Sequence, residues 1–310
     1  MKNSSQTEKQ RSFKTLTSKK LSLRKNLLGW AFLLPLVFIM YIMIWRPSFM
    51  GIFWSFFRMK GYSVVKFVGL SNYIDVISDM QFWPTMLNTV QYVLWSLAIG
   101  FLLPLILAVM LNEMRHFKST FRITLYLPAI VPGIIVMLMW YFIYYPDQTG
   151  LLNMILAKMG IDPILWLNDS ALVIPCIIIS MTWNGCPGAM LLYYSALQSV
   201  SKELYEAALI DGAGIFKRVW HVTRPQIMGV VLLNLIRQII GVFQIMEQPM
   251  TMTQGGPNNA SLSIGYQLYK YGFVLNRADY AMALGVITFV ILIFITAFYF
   301  RVEKKVSDNY

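Results

Sequence analysis

Apolar and polar segments alternate along this chain in a pattern typical of a protein that crosses a membrane several times. Six apolar runs are each close to or above the roughly 20 residues that a helix needs to span the hydrocarbon core. The first run is longer than the apolar core of a signal peptide and lacks a small-residue cleavage site, so we interpret it as uncleaved. The six predicted transmembrane helices cover about residues 27–45, 86–111, 122–145, 171–195, 226–247 and 280–300.

Composition agrees with this pattern. The chain has 310 residues, of which 57% are hydrophobic and only 13% are charged, whereas a soluble domain carries about 25% charged residues. We therefore predict an all-α, polytopic integral membrane protein. Cys176 and Cys186 lie within one apolar run, so neither a disulfide framework nor a zinc site is predicted.

The formal net charge of +12 reflects membrane topology rather than nucleic-acid binding. If the N-terminus is cytoplasmic, 18 Lys and Arg residues fall in cytoplasmic segments, seven fall in the opposite segments, and Arg237 lies within a helix. This bias follows the positive-inside rule. It predicts a multi-pass protein of the cell membrane with both termini in the cytoplasm, surrounded by lipid and with no nucleic-acid partner.

The polar connection between the fourth and fifth predicted helices contains EAALIDGAGIFKRVWHVTRP at residues 206–225. Ser201 is predicted to cap a first helix, and the glycines at positions 212 and 214 are expected to end it in a sharp turn. A second short helix is predicted from Ile215 to Val222, and Pro225 suits the first turn of the next helix. We call residues 201–225 the knuckle.

The knuckle resembles the EAA loop of binding-protein-dependent ABC importer permeases, although Arg224 stands where that family usually has Leu. In the family, this loop docks on a cytoplasmic ATPase, so the resemblance implies a coupling role. The other interpretation is an amphipathic connector that packs only on its own bundle. The implied coupling residues are Glu206, Ala207, Ala208, Asp211, Gly212 and Pro225.

Further stretches resemble the sugar-importing branch of the same superfamily. FVGLSNY at 67–73 is similar to a stretch that follows the first helix in those permeases, and TQGGPNNAS at 253–261 is similar to their TxGGPxxxT/S segment. By itself Gly-Gly-Pro predicts only a turn. With the blocks at 269–273 and 279–285, the resemblance covers most of residues 27–300. It implies a carbohydrate-type permease with the type I ABC importer permease fold, in the multiple-sugar, maltose and glycerol-3-phosphate branch.

The resemblance also implies partners. These are a second permease subunit in a heterodimer, two ATPase domains, and an extracytoplasmic solute-binding protein. The chain has no GxxxxGK[ST] phosphate loop, so we expect ATP to be bound by the partner subunits and no cofactor to be bound here. The chain is predicted to be a transport subunit and not an enzyme.

Polar residues inside the predicted helices are the candidates for contact with substrate. On the fifth helix they recur in steps of three and four, which places them on one stripe. Amide and aromatic side chains can bind sugar hydroxyls and sugar faces, or else bond neighbouring helices at ~0.6 kcal/mol each. Arg237 differs because a charge at membrane depth costs ~2.5–3.5 kcal/mol or more. The candidates are Trp183, Asn184, Asn234, Arg237, Gln238 and Gln244, with Gln248 ending the stripe.

The predicted organisation has four parts. A basic cytoplasmic tail at 1–26 precedes the first helix and its extracytoplasmic connection at 27–85. A core permease domain at 86–300 contains the knuckle, and a cytoplasmic tail at 301–310 ends the chain. The predicted function is import of a sugar or oligosaccharide. Import of glycerol 3-phosphate by the same architecture, with Arg237 as phosphate partner, and a stand-alone secondary transporter remain alternatives.

Overall fold

A computed structural model describes residues 29–114 and 116–307 of the chain. The basic tail predicted at 1–26 and the last residues of the C-terminal tail lie outside the described residues. The chain separates into two compact units, Met1–Ser55 and Phe56–Tyr310. Each unit is described by itself.

The described part of the first unit is one apolar helix, α1 (Gly29–Trp54). It continues well beyond the predicted end at residue 45. The reason is a π-helical turn at Tyr41–Trp45 immediately before Pro47. A wider turn of this kind accommodates a proline, which has no N–H to donate, without ending the helix.

The second unit begins with a hairpin and then becomes almost entirely helical. The hairpin strands are β1 (Phe57–Lys60) and β2 (Ser63–Phe67). The long helices are α3 (Phe82–Glu113), α7 (Val173–Gln198), α9 (Ile215–Phe243) and α12 (Ala278–Ser307). The shorter helices are α2 (Ser71–Ile77), α4 (Lys118–Ile130), α5 (Gly133–Ile143), α6 (Leu151–Lys158), α8 (Lys202–Ile210), α10 (Glu247–Met252) and α11 (Ile264–Tyr269).

Five of the described helices are long and apolar enough to cross a membrane, namely α1, α3, α7, α9 and α12. The pair α4 and α5 passes the same test as one broken span, bent by 93°, which gives up to six spans. The all-α, roughly six-helix prediction is therefore confirmed, but one continuous helix over 122–145 is wrong. Val131 adopts an extended conformation because a residue before proline, here Pro132, disfavours the helical region.

Helix α7 is the centre of the second unit. It packs against α3, α4 and α9, and Val173, Ile177 and Met190 on it are fully buried. In a membrane-spanning helix such side chains stabilise the bundle through close van der Waals packing, because lipid is as apolar as they are. Since α7 runs through the core from end to end, the positions of its neighbours are fixed relative to it.

The hairpin is attached to the start of α12 by charged side chains. Arg58 on β1 bonds the Asp75 carboxylate at 2.9 Å and lies 3.9 Å from Asp279. Asp279 is fully buried in the first turn of α12 and also pairs with Arg277 at 3.1 Å. The hydrogen bond to Asp75 and that to Tyr280 raise the pKa of Arg58. We call this end of the bundle the hairpin end.

The knuckle lies at the opposite end of the bundle. Helix α3 begins beside α2 at the hairpin end, and Asn88 near its start donates to the carbonyls of Asn259 and Leu262 at 2.8 and 3.2 Å. The segment after α9 is therefore also at the hairpin end. Because α9 is a continuous 29-residue helix, about 43 Å long at 1.5 Å per residue, the knuckle at its start is at the far end.

Candidate functional site

The first helix of the knuckle forms as the sequence predicts. The Ser201 hydroxyl accepts a hydrogen bond from the Glu203 amide at 3.2 Å and so caps α8. Glu203 lies in the first turn, where a carboxylate interacts favourably with the positive end of the helix dipole. The predicted N-cap is confirmed.

The turn that ends α8 is a Schellman motif. Gly212 has φ +70°, and its amide donates to the Leu209 carbonyl at 3.0 Å. The Ala213 amide donates to the Ala208 carbonyl at 2.9 Å. In this motif the left-handed residue lies four positions after the first acceptor, which here is Ala208. The spacing between Ala208 and Gly212 in the sequence is thus the spacing that the turn needs.

The knuckle exposes a large apolar surface at its tip. Ile210 is 87% exposed and Phe216 is 91% exposed, on either side of the turn. Glu206, Ala207 and Asp211 are also exposed. Large apolar groups gathered on one exposed surface are typical of a protein or membrane contact, and this surface is not covered by the bundle to which it belongs.

The second helix of the knuckle differs from the prediction. It does not stop at Val222 but continues as α9 to Phe243, with a π-helical turn at Val219–Thr223 just before Pro225. As in α1, the wider turn accommodates the missing proline N–H. Arg224, which replaces the family's usual Leu, lies over the Trp220 ring at 4.2 Å, so a cation–π contact takes the place of apolar packing.

An ion pair attaches the knuckle to the bundle, and a hydrogen bond holds the two helices of the knuckle together. Arg218 pairs with Glu113 at the end of α3, with 2.6 Å between nitrogen and oxygen. The Tyr205 and Thr223 hydroxyls share a hydrogen bond of 3.0 Å, which joins α8 to the π-helical turn of α9. A force on the knuckle would therefore reach α3 and α9 directly.

A cavity of about 400 Å³ lies near the middle of the bundle, between α3, α7 and α9. Asn234, Arg237 and Gln238 line it from α9. Gly100 and Tyr193 line the other sides, from α3 and α7. We call it the central cavity. The three residues that the sequence placed on one stripe of α9 are thus brought together around one space.

One cation that lines the central cavity has no ion-pair partner among the described residues. Within the described residues, Arg237 makes no ion pair. The Asn234 amide donates to the Val230 carbonyl at 3.1 Å on its own helix. Gln238 closely approaches Gly100, where an added Cβ would lie 2.9 Å from the Gln238 amide nitrogen, so a larger residue at position 100 would displace the end of that side chain.

The rest of the predicted stripe does not reach the central cavity. Helix α9 ends at Phe243, so Gln244 lies in a turn and Gln248 lies on the separate helix α10. The physical reason is tertiary: the next residue, Ile245, is buried, and its carbonyl accepts a 2.5 Å hydrogen bond from the Ser263 hydroxyl. That contact holds the chain away from a continuing helix.

Trp183 and Asn184 lie beside the break between α4 and α5, not among the residues that line the central cavity. Asn184 donates to the Pro128 carbonyl at 2.8 Å. Trp183 meets Trp140 edge to face at 6.3 Å between ring centroids. The Pro128 carbonyl loses its usual helical donor because residue 132 is a proline, and it accepts instead from the Val131 amide at 3.3 Å and from Asn184.

The family model described as "Binding-protein-dependent transport system inner membrane component" matches residues 100–308. The chain belongs to this family of permeases. The predicted resemblance and the multi-pass location in the cell membrane are thereby confirmed.

Curated relatives match this permease over most of their length. The trehalose/maltose transport system permease protein MalF of Thermococcus litoralis is 34% identical over 94% of this chain and 99% of its own. The probable ABC transporter permease YurN of Bacillus subtilis is 32% identical over 86% and 93%. The arabinooligosaccharides transport system permease AraP of Bacillus subtilis is 31% identical over 79% and 78%.

Solved structures share the fold of the permease. A chain of a bacterial ABC transporter involved in the import of the acidic polysaccharide alginate matches with a TM-score of 0.80 and 23% identity, over 92% of this chain and 97% of that one. A second match, with a TM-score of 0.79, comes from the alginate transporter in complex with its alginate pentasaccharide-bound periplasmic protein. The predicted importer permease fold is therefore confirmed.

Sequence patterns alone missed some features of the site. Gly100 and Tyr193 line the central cavity but stand out in no polar stripe. One signal is available in the structure, since Gly100 lies in a π-helical segment of α3, Ser96–Phe101, and such segments occur frequently at functional sites. The described residues contain no group of three or more His, Cys, Asp or Glu placed to hold a metal ion.

Proposed function

We propose that this permease forms the membrane path of an ABC importer that carries a sugar or oligosaccharide into the cell. The observation that carries the proposal is that one helix, α9, begins at the exposed knuckle and lines the central cavity with three polar side chains. Amide, guanidinium and tyrosine groups suit a ligand that has many hydroxyls. The relatives named for trehalose, maltose and arabinooligosaccharides support the same class of substrate.

The knuckle is proposed to dock on the ATPase, with Glu206, Ala207, Ala208, Asp211, Gly212 and Pro225 shaping the contact. Ile210 and Phe216 would enter a groove of that partner. Binding and hydrolysis of ATP would then belong to two separate ATPase domains, and this chain would need no cofactor of its own. A second permease would complete the path, and a solute-binding protein would deliver substrate, as supported by the periplasmic protein in the alginate complex.

We further propose that the knuckle end is cytoplasmic and the hairpin end is extracytoplasmic, with both termini in the cytoplasm. The excess of basic residues in the tail, the knuckle and the C-terminal segment supports this orientation. It would place the solute-binding protein against the hairpin end and the ATPase against the knuckle.

Cysteine labelling tests this orientation. Lys202→Cys on the knuckle should react with a membrane-impermeant maleimide only from the cytoplasmic side, and Val65→Cys on β2 only from outside. Both positions are exposed, while the native Cys176 and Cys186 are buried and should give little background. Labelling of Lys202→Cys in intact cells would contradict the orientation.

Uptake by the assembled transporter tests the substrate class. The panel contains maltose, trehalose, an arabinooligosaccharide and glycerol 3-phosphate, each supplied with the cognate binding protein in proteoliposomes. We expect ATP-dependent uptake of at least one of the sugars. Uptake of none of the sugars would refute the proposal. ATP-independent uptake by the purified chain alone would support the alternative of a stand-alone secondary transporter.

Glycerol 3-phosphate is the second candidate substrate because of one observation. Arg237 faces the central cavity without an acidic partner among the residues described, and a guanidinium binds phosphate through paired hydrogen bonds. Uptake of glycerol 3-phosphate together with failure of every sugar would select this alternative.

A further inference from the structure

A second cavity of about 190 Å³ lies at the hairpin end, between the segment that follows α5 and the turn at Gly255-Gly256-Pro257. We call it the outer cavity. It is separate from the central cavity, and the two share no lining residue. Its aromatic and polar lining consists of Tyr141, Tyr144, Tyr145, Asn168 and Thr253, with Pro257 on the turn.

One wall of the outer cavity is fixed by a buried asparagine. The Asn153 amide nitrogen lies within hydrogen-bond distance of the carbonyls of Tyr145, Asp147 and Ile164, at 3.0–3.2 Å. Its oxygen accepts from the Ile164 amide at 3.0 Å and from the Trp166 indole at 2.9 Å. A fully satisfied buried amide of this kind holds its surroundings in a single arrangement. The segments that carry Tyr145 and Asn168 are thereby held in place.

The opposite wall is fixed by the residues of the TQGGPNNAS stretch. The Thr253 and Ser261 hydroxyls share a 2.7 Å hydrogen bond, and the Ser261 hydroxyl donates to the Gly256 carbonyl at 2.6 Å. The Tyr92 hydroxyl donates to the Ser261 carbonyl at 2.9 Å from α3. The stretch is therefore a rigid, internally bonded turn, which explains its polar residues without assigning them to a ligand.

The side chains in the outer cavity suit a sugar ring. The Tyr144 side chain is only 3% exposed and its ring stacks on Trp140 at 5.1 Å. Tyr144 is thus packed inside the protein, unlike the tyrosines of an interfacial belt, which face lipid. In the part of the chain that the structure describes, neither the Tyr144 hydroxyl nor the Asn168 amide has a side-chain hydrogen bond. The Asn168 amide is exposed, and the buried Tyr144 side chain can meet a ligand only where it borders the cavity.

The lining of the outer cavity also selects among ligands. None of its residues carries a formal charge. Aromatic rings with a few placed polar groups are typical of sites that bind a small molecule by its faces and hydroxyls. A phosphate or a uronic acid carboxylate would find no cation here, so the lining favours a neutral sugar over an anionic ligand.

We propose that the outer cavity is a subsite for one neutral sugar residue, occupied on the way from the binding protein to the central cavity. The geometry that carries the inference is a cavity with two rigid walls, an aromatic lining and two unpaired polar groups. The inference rests on the proposed function and on the extracytoplasmic position of the hairpin end. It adds one sugar-binding step before the substrate reaches the central cavity.

Protection from labelling tests the subsite. Asn168→Cys introduces an exposed thiol at the outer cavity, and its reaction with an impermeant maleimide is followed in cells that express the whole transporter. The probe is whichever of maltose, trehalose or the arabinooligosaccharide is transported in the uptake assay. We expect saturating sugar to slow the reaction at least about threefold. Asp162→Cys, exposed on the same connection but outside the cavity, is the matched control and should react equally with and without sugar.

Transport kinetics provide a second measurement. Tyr144→Phe keeps the ring and removes the hydroxyl, so we expect the KM for the sugar to rise about two- to tenfold with an unchanged maximal rate, the loss of one neutral hydrogen bond. Tyr126→Phe, on the exposed side of α4, is the control and should change neither quantity.

The outcomes separate the subsite from the proposed function. Uptake of a sugar, without protection of Asn168→Cys, overturns the subsite and leaves the function standing. If Asn168→Cys does not assemble, an unchanged KM in Tyr144→Phe overturns the subsite equally. Uptake of no sugar overturns both.

Discussion

Gly212→Val is expected to abolish substrate-stimulated ATPase activity and transport while leaving the transporter inserted and assembled. Gly212 has φ +70°, a conformation that costs an L-residue roughly 1–2 kcal/mol and a β-branched residue more. No atom lies within 4 Å of an added Cβ at this position. The defect would therefore arise from the backbone of the turn and not from a clash in the core.

Loss of the turn would change the surface that the knuckle presents. The Schellman hydrogen bonds from Gly212 and Ala213 set the direction in which the chain leaves α8, and so the position of Phe216 relative to Ile210. If these two side chains dock in one groove, they cannot both do so once the turn is altered. The bundle is expected to stay folded because the knuckle tip buries little of its own surface.

A neighbouring glycine supplies the control for this experiment. Gly214 has φ −66° and also has open space around a built Cβ, so Gly214→Val should be far better tolerated. Gly212→Asn should retain part of the activity, because asparagine accepts the left-handed conformation more readily than valine. The measurement is ATPase stimulation by the loaded binding protein in reconstituted complex. Full ATPase stimulation in Gly212→Val would contradict a coupling role for the knuckle.

The knuckle was predictable from the sequence because its structure is set locally. A serine cap, a carboxylate in the first turn and a glycine four residues after Ala208 each act within a few residues. The cap and the turn at residues 201–215 are therefore specified by neighbouring residues. The restarted helix was predicted to end too early because Pro225 was interpreted as a boundary, whereas a π-helical turn lets the helix pass through it.

The limits of the polar stripe were not predictable in the same way. Periodicity places Gln244 on the same face as Asn234 only if the helix continues, and α9 ends at Phe243 because Ile245 bonds Ser263, a residue 18 positions away. The break after Ile130 was predictable only in part. Pro128 and Pro132 were visible in the sequence, but the 93° bend also involves a contact that the sequence does not show, the hydrogen bond from Asn184 on α7 to the Pro128 carbonyl.

The outer cavity shows why contact residues cannot be read from one segment. Tyr144, Asn168 and Thr253 come from three separate parts of the chain. Each is an ordinary loop or helix-end residue in the sequence. Only the hydrogen bonds of Asn153 and Ser261, which fix the two walls, bring them around one space.

Arg237→Ala is expected to lower the efficiency of uptake, measured as maximal rate divided by KM, by about tenfold or more. A hydrogen bond from a charged group contributes roughly 1.5–3 kcal/mol, and each 1.4 kcal/mol is about a factor of ten. The side chain lines the central cavity and, among the described residues, has no carboxylate to pair with. Glu247, predicted to lie on the same helix, is on the separate helix α10.

A charge kept at membrane depth without an ion pair needs another source of stabilisation. In the central cavity that source would be substrate, its water, or the second permease, and the three have different consequences for a conservative change. Arg237→Lys retains the charge but loses the planar fork of donors. If the group contacts substrate, Arg237→Lys should therefore recover part of the uptake that Arg237→Ala loses. If the group contacts only the second permease, Arg237→Lys should recover assembly in full.

The experiment measures uptake, basal ATPase activity and subunit assembly for Arg237→Ala, Arg237→Lys and the control Arg122→Ala. Arg122 is an exposed cation on α4, away from the central cavity, and its removal should leave uptake unchanged. Lost uptake with normal assembly and basal ATPase activity in Arg237→Ala places the guanidinium on the path of the substrate. Unchanged uptake kinetics would contradict that role, and lost assembly would move Arg237 to the interface with the second permease, because a side chain that only lines the path has no reason to hold the subunits together.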